Sequence, residues 1–399
     1  MTDQRHTPKS HCPICSSEEL EVFLELSQVP AQCNLLFSTR REALRATRGD
    51  IRLGLCGECG HITNLVFNPD LVAYDGNYEN SLHFSPRFTQ YATTLAARLI
   101  ERHGLRGKDI IDIGCGTGEF LELLCILGDN RGIGFDPSCV RDATSSGVEA
   151  TVRFIRDAYS ERYAANRADL FCCRQMLEHL HDPNGFLSML RRAIGSRLST
   201  VVFFEVPNAR LMLRDLGIWD IIYEHCSYFS MHSVARAFTS CGFAVQDLTE
   251  AFDGQFLCIE ATPGHASARV TPDQPDAIAE LACEVGSFAG RYREMLAAWR
   301  HTLQQIERAG KRAVVWGAGS KGVSFLNALK IRDQIEYVVD INPRKQGRYV
   351  AGAGQAIVAP ECLRGYRPDV VIVMNSVYQP EIRQLVERLG LPAVEFITA

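Results

Sequence analysis

Between Trp219 and Ser230 the chain reads Trp-Asp-Ile-Ile-Tyr-Glu-His-Cys-Ser-Tyr-Phe-Ser, more titratable and aromatic groups than a connecting loop needs. A histidine titrates near neutrality and an adjacent carboxylate can orient it, so His225 beside Glu224 suits a general base. The hydroxyls of Tyr223 and Tyr228 suit donation to a developing oxyanion, with Tyr228 assigned to the substrate. An isolated histidine more often packs than reacts, and it is the clustering here that favours chemistry. A second pair, Glu178-His179, closes an apolar run, and His179 is expected to help position a ligand. Upstream, the segment from Tyr74 to Ser85 contains Tyr78, which either reaches the same pocket or packs as a linker aromatic.

These residues need a scaffold that gathers loops at one edge. Ile110-Ile111-Asp112-Ile113 runs into Gly114-Cys115-Gly116-Thr117-Gly118 and then an amphipathic stretch. Glycines at alternate positions permit a tight turn and let a ligand lie against the main chain. The spacing lacks the last glycine of the dinucleotide fingerprint, so a nucleoside with a short charged tail fits better than a pyrophosphate. Gly132-Ile133-Gly134-Phe135-Asp136 follows as a strand ending in an acid suited to ribose hydroxyls. Val152 to Asp157 is a third strand whose closing acid suits an adenine amino group. Strands at Asp169–Arg174 and Thr200–Pro207 complete an alternating α/β pattern with polar residues at the carboxyl ends. The cofactor set expected from this plan is Asp112, Gly114, Cys115, Gly116, Gly118, Asp136, Asp157 and Arg174.

Two CxxC turns, Cys12/Cys15 and Cys56/Cys59, lie near the start. Paired turns of this kind supply four thiolates to one tetrahedral centre, and a closed sulfur shell makes the metal structural zinc. Redox dithiols are the alternative. His11 and His61 flank the knuckles and are expected to support the site or lie at the surface.

After a polar stretch from Pro263 to Pro275, helical periodicity runs from about Ala277 to Arg308, long enough to bridge two domains. Then Val314-Val315-Trp316-Gly317-Ala318-Gly319-Ser320-Lys321-Gly322 repeats the strand, glycine turn and helix. Asp340 closes the next strand, and Asp369 to Asn375 forms another. GxGxxG spacing suggests a nicotinamide site. The length remaining to residue 399 suggests a truncated sheet, and Lys321, Arg344, Lys345 and Arg348 favour a phosphate-bearing ligand. Gly317, Gly319, Lys321, Lys345 and Asn375 are assigned to an anionic substrate.

With 46% hydrophobic and 22% charged residues, the composition is that of a soluble globular protein. A net charge of −5 gives no footprint for nucleic acid. No secretory signal or membrane-spanning run is visible, so a cytoplasmic protein is expected, and its fifteen cysteines point to thiols and metal. The expected organisation is a zinc module over 1–68, a cofactor-binding domain over 69–265, and a helical linker with a smaller Rossmann-like domain over 266–399.

Taken together, the CxxC pairs, Tyr74-Asp75-x-x-Tyr78, the motif from Asp112 to Gly118, Leu177-Glu178-His179, Glu224-His225-x-x-Tyr228 and Gly317-Ala-Gly-x-Lys-Gly resemble the zinc-containing, S-adenosylmethionine (SAM) dependent C-methyltransferases of deoxysugar biosynthesis. The resemblance covers essentially the whole chain. It implies a class I SAM methyltransferase core between a zinc module and a Rossmann-like rear domain. It also implies a nucleotide-linked 4-ketohexose methylated at C3, with His225 as base assisted by Glu224, Tyr78 and His179. Relatives often carry Tyr-His-Glu-His where Ile222-Tyr223-Glu224-His225 stands, and a Trp-Asn pair where Met374-Asn375 stands. Other readings stay open: an O- or N-methyltransferase of another metabolite or glycan, an RNA methyltransferase or zinc-ribbon nucleic-acid binder, and a nicotinamide enzyme centred on the rear turn. No membrane partner is expected, and monomer and homodimer are both compatible.

Overall fold

A computed structural model describes residues 9–73, 77–139, 152–264 and 275–399. Tyr74 and Asp75 of the linker motif lie outside these residues, as does the expected boundary at 265/266.

Three sheets organise the chain. The front one begins with β1 (Leu20–Pro30), β2 (Arg48–Cys56) and β3 (Ile62–Asn64), paired antiparallel in that order. Its fourth strand comes from far along the sequence and is described below. The central sheet contains β4 (Asp109–Ile113), β5 (Arg131–Phe135), β6 (Val152–Ile155), β7 (Leu170–Arg174) and β8 (Val201–Pro207), all parallel to one another. After the two-residue β9 (Ser227–Tyr228) come β10 (Phe243–Ala251) and β11 (Phe256–Pro263). Strand β11 enters antiparallel between β10 and β8, giving the order β10-β11-β8-β7-β4-β5-β6. That is the class I SAM methyltransferase core expected from the motif order. Strands β4, β7 and β8 are buried almost throughout, as parallel strands covered on both faces must be.

The rear sheet holds β12 (Ala313–Trp316), β13 (Ile335–Val339), β14 (Ala356–Val358), β15 (Val370–Val373) and β16 (Glu395–Thr398). All pair in parallel, in the order β14-β13-β12-β15-β16. Five strands correct the expectation of a truncated sheet. Short elements with near-minimal connections fit a complete doubly wound unit into this length.

The bridging helix is Pro275–Arg308. Its apolar stripe meets the front sheet where Phe288 packs on Phe23, ring centroids 5.9 Å apart, and the rear domain where Trp299 packs on Phe325 at 5.0 Å.

The fourth front strand is β9, with Ile62 opposite Tyr228 and Thr63 opposite Ser227. The residues immediately before it are Glu224, His225 and Cys226. Thr63 Oγ1 and Asn64 N both donate to the Cys226 carbonyl, at 2.8 and 3.0 Å, so the histidine loop is sewn onto the front module.

Candidate active site

The carboxyl ends of β4, β7 and β8 face those of β12, β13 and β15 across one cleft. Ligands of open α/β sheets bind at such ends, and here two sets confront each other. The segment 77–88 roofs the cleft. Glu79 accepts from Asn342 Nδ2 and Arg344 Nη1, both at 3.1 Å, while Ser81 donates to Glu119 at 3.1 Å and Ser85 to Glu381 at 2.8 Å. This segment therefore touches both nucleotide-type domains. Asn34 of the front module also lines the cleft, so all three parts contribute to it.

On the central side, Gly114, Gly116 and Gly118 all have positive φ, which favours glycine. A Cβ on Gly118 would lie 2.2 Å from the Phe154 ring, whereas one on Gly116 would meet no atom within 4 Å. The Gly116 side of the turn is thus an open cradle, and it fits SAM lying against the main chain. Asp112 and Cys115 also line the cleft, and burial raises Asp112 to about 7 despite the opposing charge of Arg174. Arg174 forms the floor. Its guanidinium lies 4.2 Å from the Phe120 ring centroid and donates to Glu205 Oε1 at 2.9 Å.

Two acids depart from expectation. Asp136 accepts from Gly116 N at 2.9 Å and from Ser138 N at 2.7 Å, so its carboxylate fastens the glycine turn and does not line the cleft. Asp157 is taken up by the Tyr163 hydroxyl and the Arg162 guanidinium, and it too lies off the cleft. In both cases nearby donors satisfy the carboxylate locally.

His179 and His225 stand together at the cleft, ring centroids 4.9 Å apart and nearly perpendicular. Nδ1 of His179 lies 3.1 Å from the Glu224 carbonyl, which places a proton on that nitrogen. Burial holds both rings neutral, His179 at about 3 and His225 at about 4. Burial acts oppositely on the neighbouring acids and lifts Glu178 to about 8 and Glu224 to about 7. Glu224 lies behind the histidines. Its Oε2 accepts from Cys33 N at 2.8 Å and it hydrogen-bonds Tyr78, which lines the cleft.

Neither tyrosine of the loop reaches the cleft. The Tyr223 hydroxyl donates to Asn68 O at 3.1 Å and accepts from Asn68 N at 2.7 Å; its ring covers Gly49, where a Cβ would lie 2.2 Å from Cε2. Tyr228 sits in β9 and donates to Ile222 O at 3.1 Å. The expected oxyanion role therefore falls away for both, because their hydroxyls are spent fastening the loop. Ile222 lines the cleft instead.

On the rear side, Gly317, Gly319, Lys321, Lys345 and Asn375 all line the cleft. Lys345 is 4% exposed, and its Nζ donates to Asn34 Oδ1 and Ala318 O, each at 3.2 Å. Lys321 forms an ion pair with Asp220. Asn375 exchanges amide hydrogen bonds with Gln255 at 2.9 and 3.1 Å. Asp340 accepts from Ala318 N at 2.8 Å and Asn342 N at 2.8 Å, the same fastening that Asp136 gives the central turn. Unlike Asp136, Asp340 also lines the cleft. Arg344 and Arg348 are committed to Glu79 and Ser38, which leaves the two lysines as the cleft cations among the four basic residues singled out.

Cys12, Cys15, Cys56 and Cys59 bring their sulfurs within 4.8 Å of one another, with 3.5 Å from Cys12 to Cys59 and 3.4 Å from Cys15 to Cys56. No disulfide joins them. Tetrahedral zinc thiolates have edges of about 3.8 Å, so the donor set fits zinc. His61 is fully buried against Phe229, with no room at the surface.

Three groups went unassigned in the sequence. Asn34 has no local signature, because only the tertiary fold brings it to the cleft. Glu119, beside the glycine turn, reads as an ordinary first-turn helix acid. Glu205 did leave a signal: an acid inside Val-Val-Phe-Phe-Glu-Val-Pro needs a buried partner, and Arg174 is that partner.

Residues 86–248 match a family described as a methyltransferase domain, and residues 246–399 one described as a C-methyltransferase C-terminal domain. The chain is similar to the C-methyltransferase NovU of Streptomyces niveus, 27% identical over 390 residues, which is 94% of this chain and 91% of that protein. It is also similar to a ubiquinone biosynthesis O-methyltransferase of Cupriavidus pinatubonensis, 36% identical over 89 residues, 21% of this chain and 36% of that protein. No helix among the described residues is long and apolar enough to cross a membrane.

Proposed function

We propose that this chain, a SAM-dependent methyltransferase, methylates a carbon next to a ketone in a nucleotide-linked deoxysugar. The observation that carries the reading is the placement of His179 and His225 between two opposed glycine turns, with Lys321 and Lys345 on the rear wall. The central turn would hold the methyl donor. The rear turn would hold the nucleoside diphosphate, whose charge suits the two lysines. The similarity to NovU over nearly the whole chain supports carbon as the acceptor.

When bound, SAM supplies the methyl group, and its sulfur takes up the electron pair of the broken C–S bond. A ketone acidifies the adjacent carbon, and His225, neutral at pH 7, removes the proton there. The electron pair left on that carbon forms the new C–C bond. His225 then returns its proton to solvent. Tyr78 and His179 would stabilise the enolate oxygen, and Glu224 would hold Tyr78 in place. Zinc at Cys12, Cys15, Cys56 and Cys59 would be structural, since four thiolates leave no open position. The chain is expected to act in the cytoplasm on this small molecule, without nucleic acid.

The test is incubation with methyl-labelled SAM and a thymidine-diphosphate-linked 4-keto-6-deoxyhexose in D₂O. Label on carbon is expected, with deuterium entering the same position when S-adenosylhomocysteine replaces SAM. H225N should abolish both while still binding S-adenosylhomocysteine. Label on oxygen or nitrogen, with no exchange, would establish the alternative acceptor.

A further inference from the structure

The histidine loop is fastened at both ends. Its carboxyl end is β9 on the front sheet. Its amino end is the single turn Ile218–Asp220, which lies against the rear helix Ser320–Ala328. Trp219, 3% exposed, packs edge-on against Phe325 with ring centroids 4.9 Å apart, and Asp220 pairs with Lys321 at the head of that helix. Asp220, Lys321 and His225 all line the cleft. A carboxylate in so apolar a turn contributes nothing to the packing of Trp219, and its partner is the cation of the rear glycine turn.

We propose that Asp220 is a positioning residue: its ion pair with Lys321 ties the histidine loop to the rear glycine turn and so sets where His225 stands over the substrate. The inference rests on His225 being the base. The main chain of Asp220 also acts on the His225 imidazole, favouring its protonated form, whereas burial and the Lys321 charge disfavour it. Asp220 therefore meets His225 through its backbone and Lys321 through its side chain. A shift of the turn by an ångström moves the base off the proton it must take, and such displacements cost roughly a hundredfold in rate.

The experiment measures kcat, KM and S-adenosylhomocysteine affinity on the same thymidine-diphosphate-linked 4-keto-6-deoxyhexose. D220N is expected to lower kcat roughly ten- to a hundredfold with S-adenosylhomocysteine binding unchanged, and D220E to recover most of the loss. K321M should reproduce the fall in kcat from the other side, and D220N/K321M should be no slower than the slower single variant. A D220N effect confined to KM would overturn the proposal, because Asp220 would then only compete with the substrate for Lys321. Multiplying losses in the double variant, or full activity in D220N, would also overturn it. H225N serves as the control: normal turnover there removes the base assignment itself, whereas an inactive H225N with a normal D220N removes only this inference.

Discussion

Glu178, His179, Glu224 and His225 enter the folded protein with their protons redistributed. Between pH 4.5 and 6.5 the unfolded chain carries protons on the two histidines, while the folded chain carries them on the two glutamates. The bound-proton count of the quartet is the same in both states, so its contribution to stability is flat across that window. Removing His225 breaks the balance. Its depressed value favours the folded state above pH 6.5 and costs stability as pH falls towards 4, so wild type gains from it as pH rises. The stability of H225N should therefore rise less steeply with pH, by about 1.4 kcal/mol per unit between 4.5 and 6.5. Urea titrations at several pH values would show it, and parallel slopes would refute it. In the same way the acid limb of kcat/KM should lie near pH 4, well below that of an exposed histidine. The identity of this quartet was legible in the sequence, since the clustering of titratable groups after strand ends brought Glu178-His179 and Glu224-His225 forward. The roles of Tyr223 and Tyr228 were not, because a hydroxyl's partner depends on which way each residue of an irregular loop faces.

Among the elements, the central glycine turn separates two functions that one motif conceals. At Gly118 a Cβ strikes Phe154, so G118A should destabilise the fold by about 2–4 kcal/mol. At Gly116 the same methyl enters open space, so G116A should cost only about 1–2 kcal/mol of backbone strain. It would fill the cradle, however, and S-adenosylhomocysteine affinity should fall more than roughly tenfold, as one obstructed close contact allows. Calorimetry of binding beside thermal melts distinguishes the two, and equal losses of affinity and stability at both sites would contradict it. The succession of the first four central strands along the chain could be read in advance, because Gly114, Asp136, Asp157 and Arg174 close them with a glycine or a polar residue. Strand β9 could not. Two residues have no periodicity, and their pairing with β3 spans a sequence separation that no local pattern reports.

For the molecule as a whole, the cleft belongs to no single domain. Asn34 comes from the front, Gly116 and His225 from the centre, and Lys345 from the rear. Cys56 and Cys59 lie in the turn of the β2–β3 hairpin, whose last strand pairs with β9, so loss of the proposed zinc should act at a distance. Treatment with a zinc chelator is expected to abolish turnover and loosen protease protection around residues 222–229, while S-adenosylhomocysteine still binds the central domain. Unchanged turnover in metal-free protein would refute this link. The pairing of β3 with β9 has a further consequence for biosynthesis. The front hairpin leaves the ribosome some hundred and sixty residues before its partner, with the outer edge of β3 bare. Three residues make a poor template for stray strands, so a nascent chain carries little risk of misassembly there. The same brevity means the seam closes only after Tyr228 has emerged, and the histidine-bearing loop is among the last parts of the central domain to find its place.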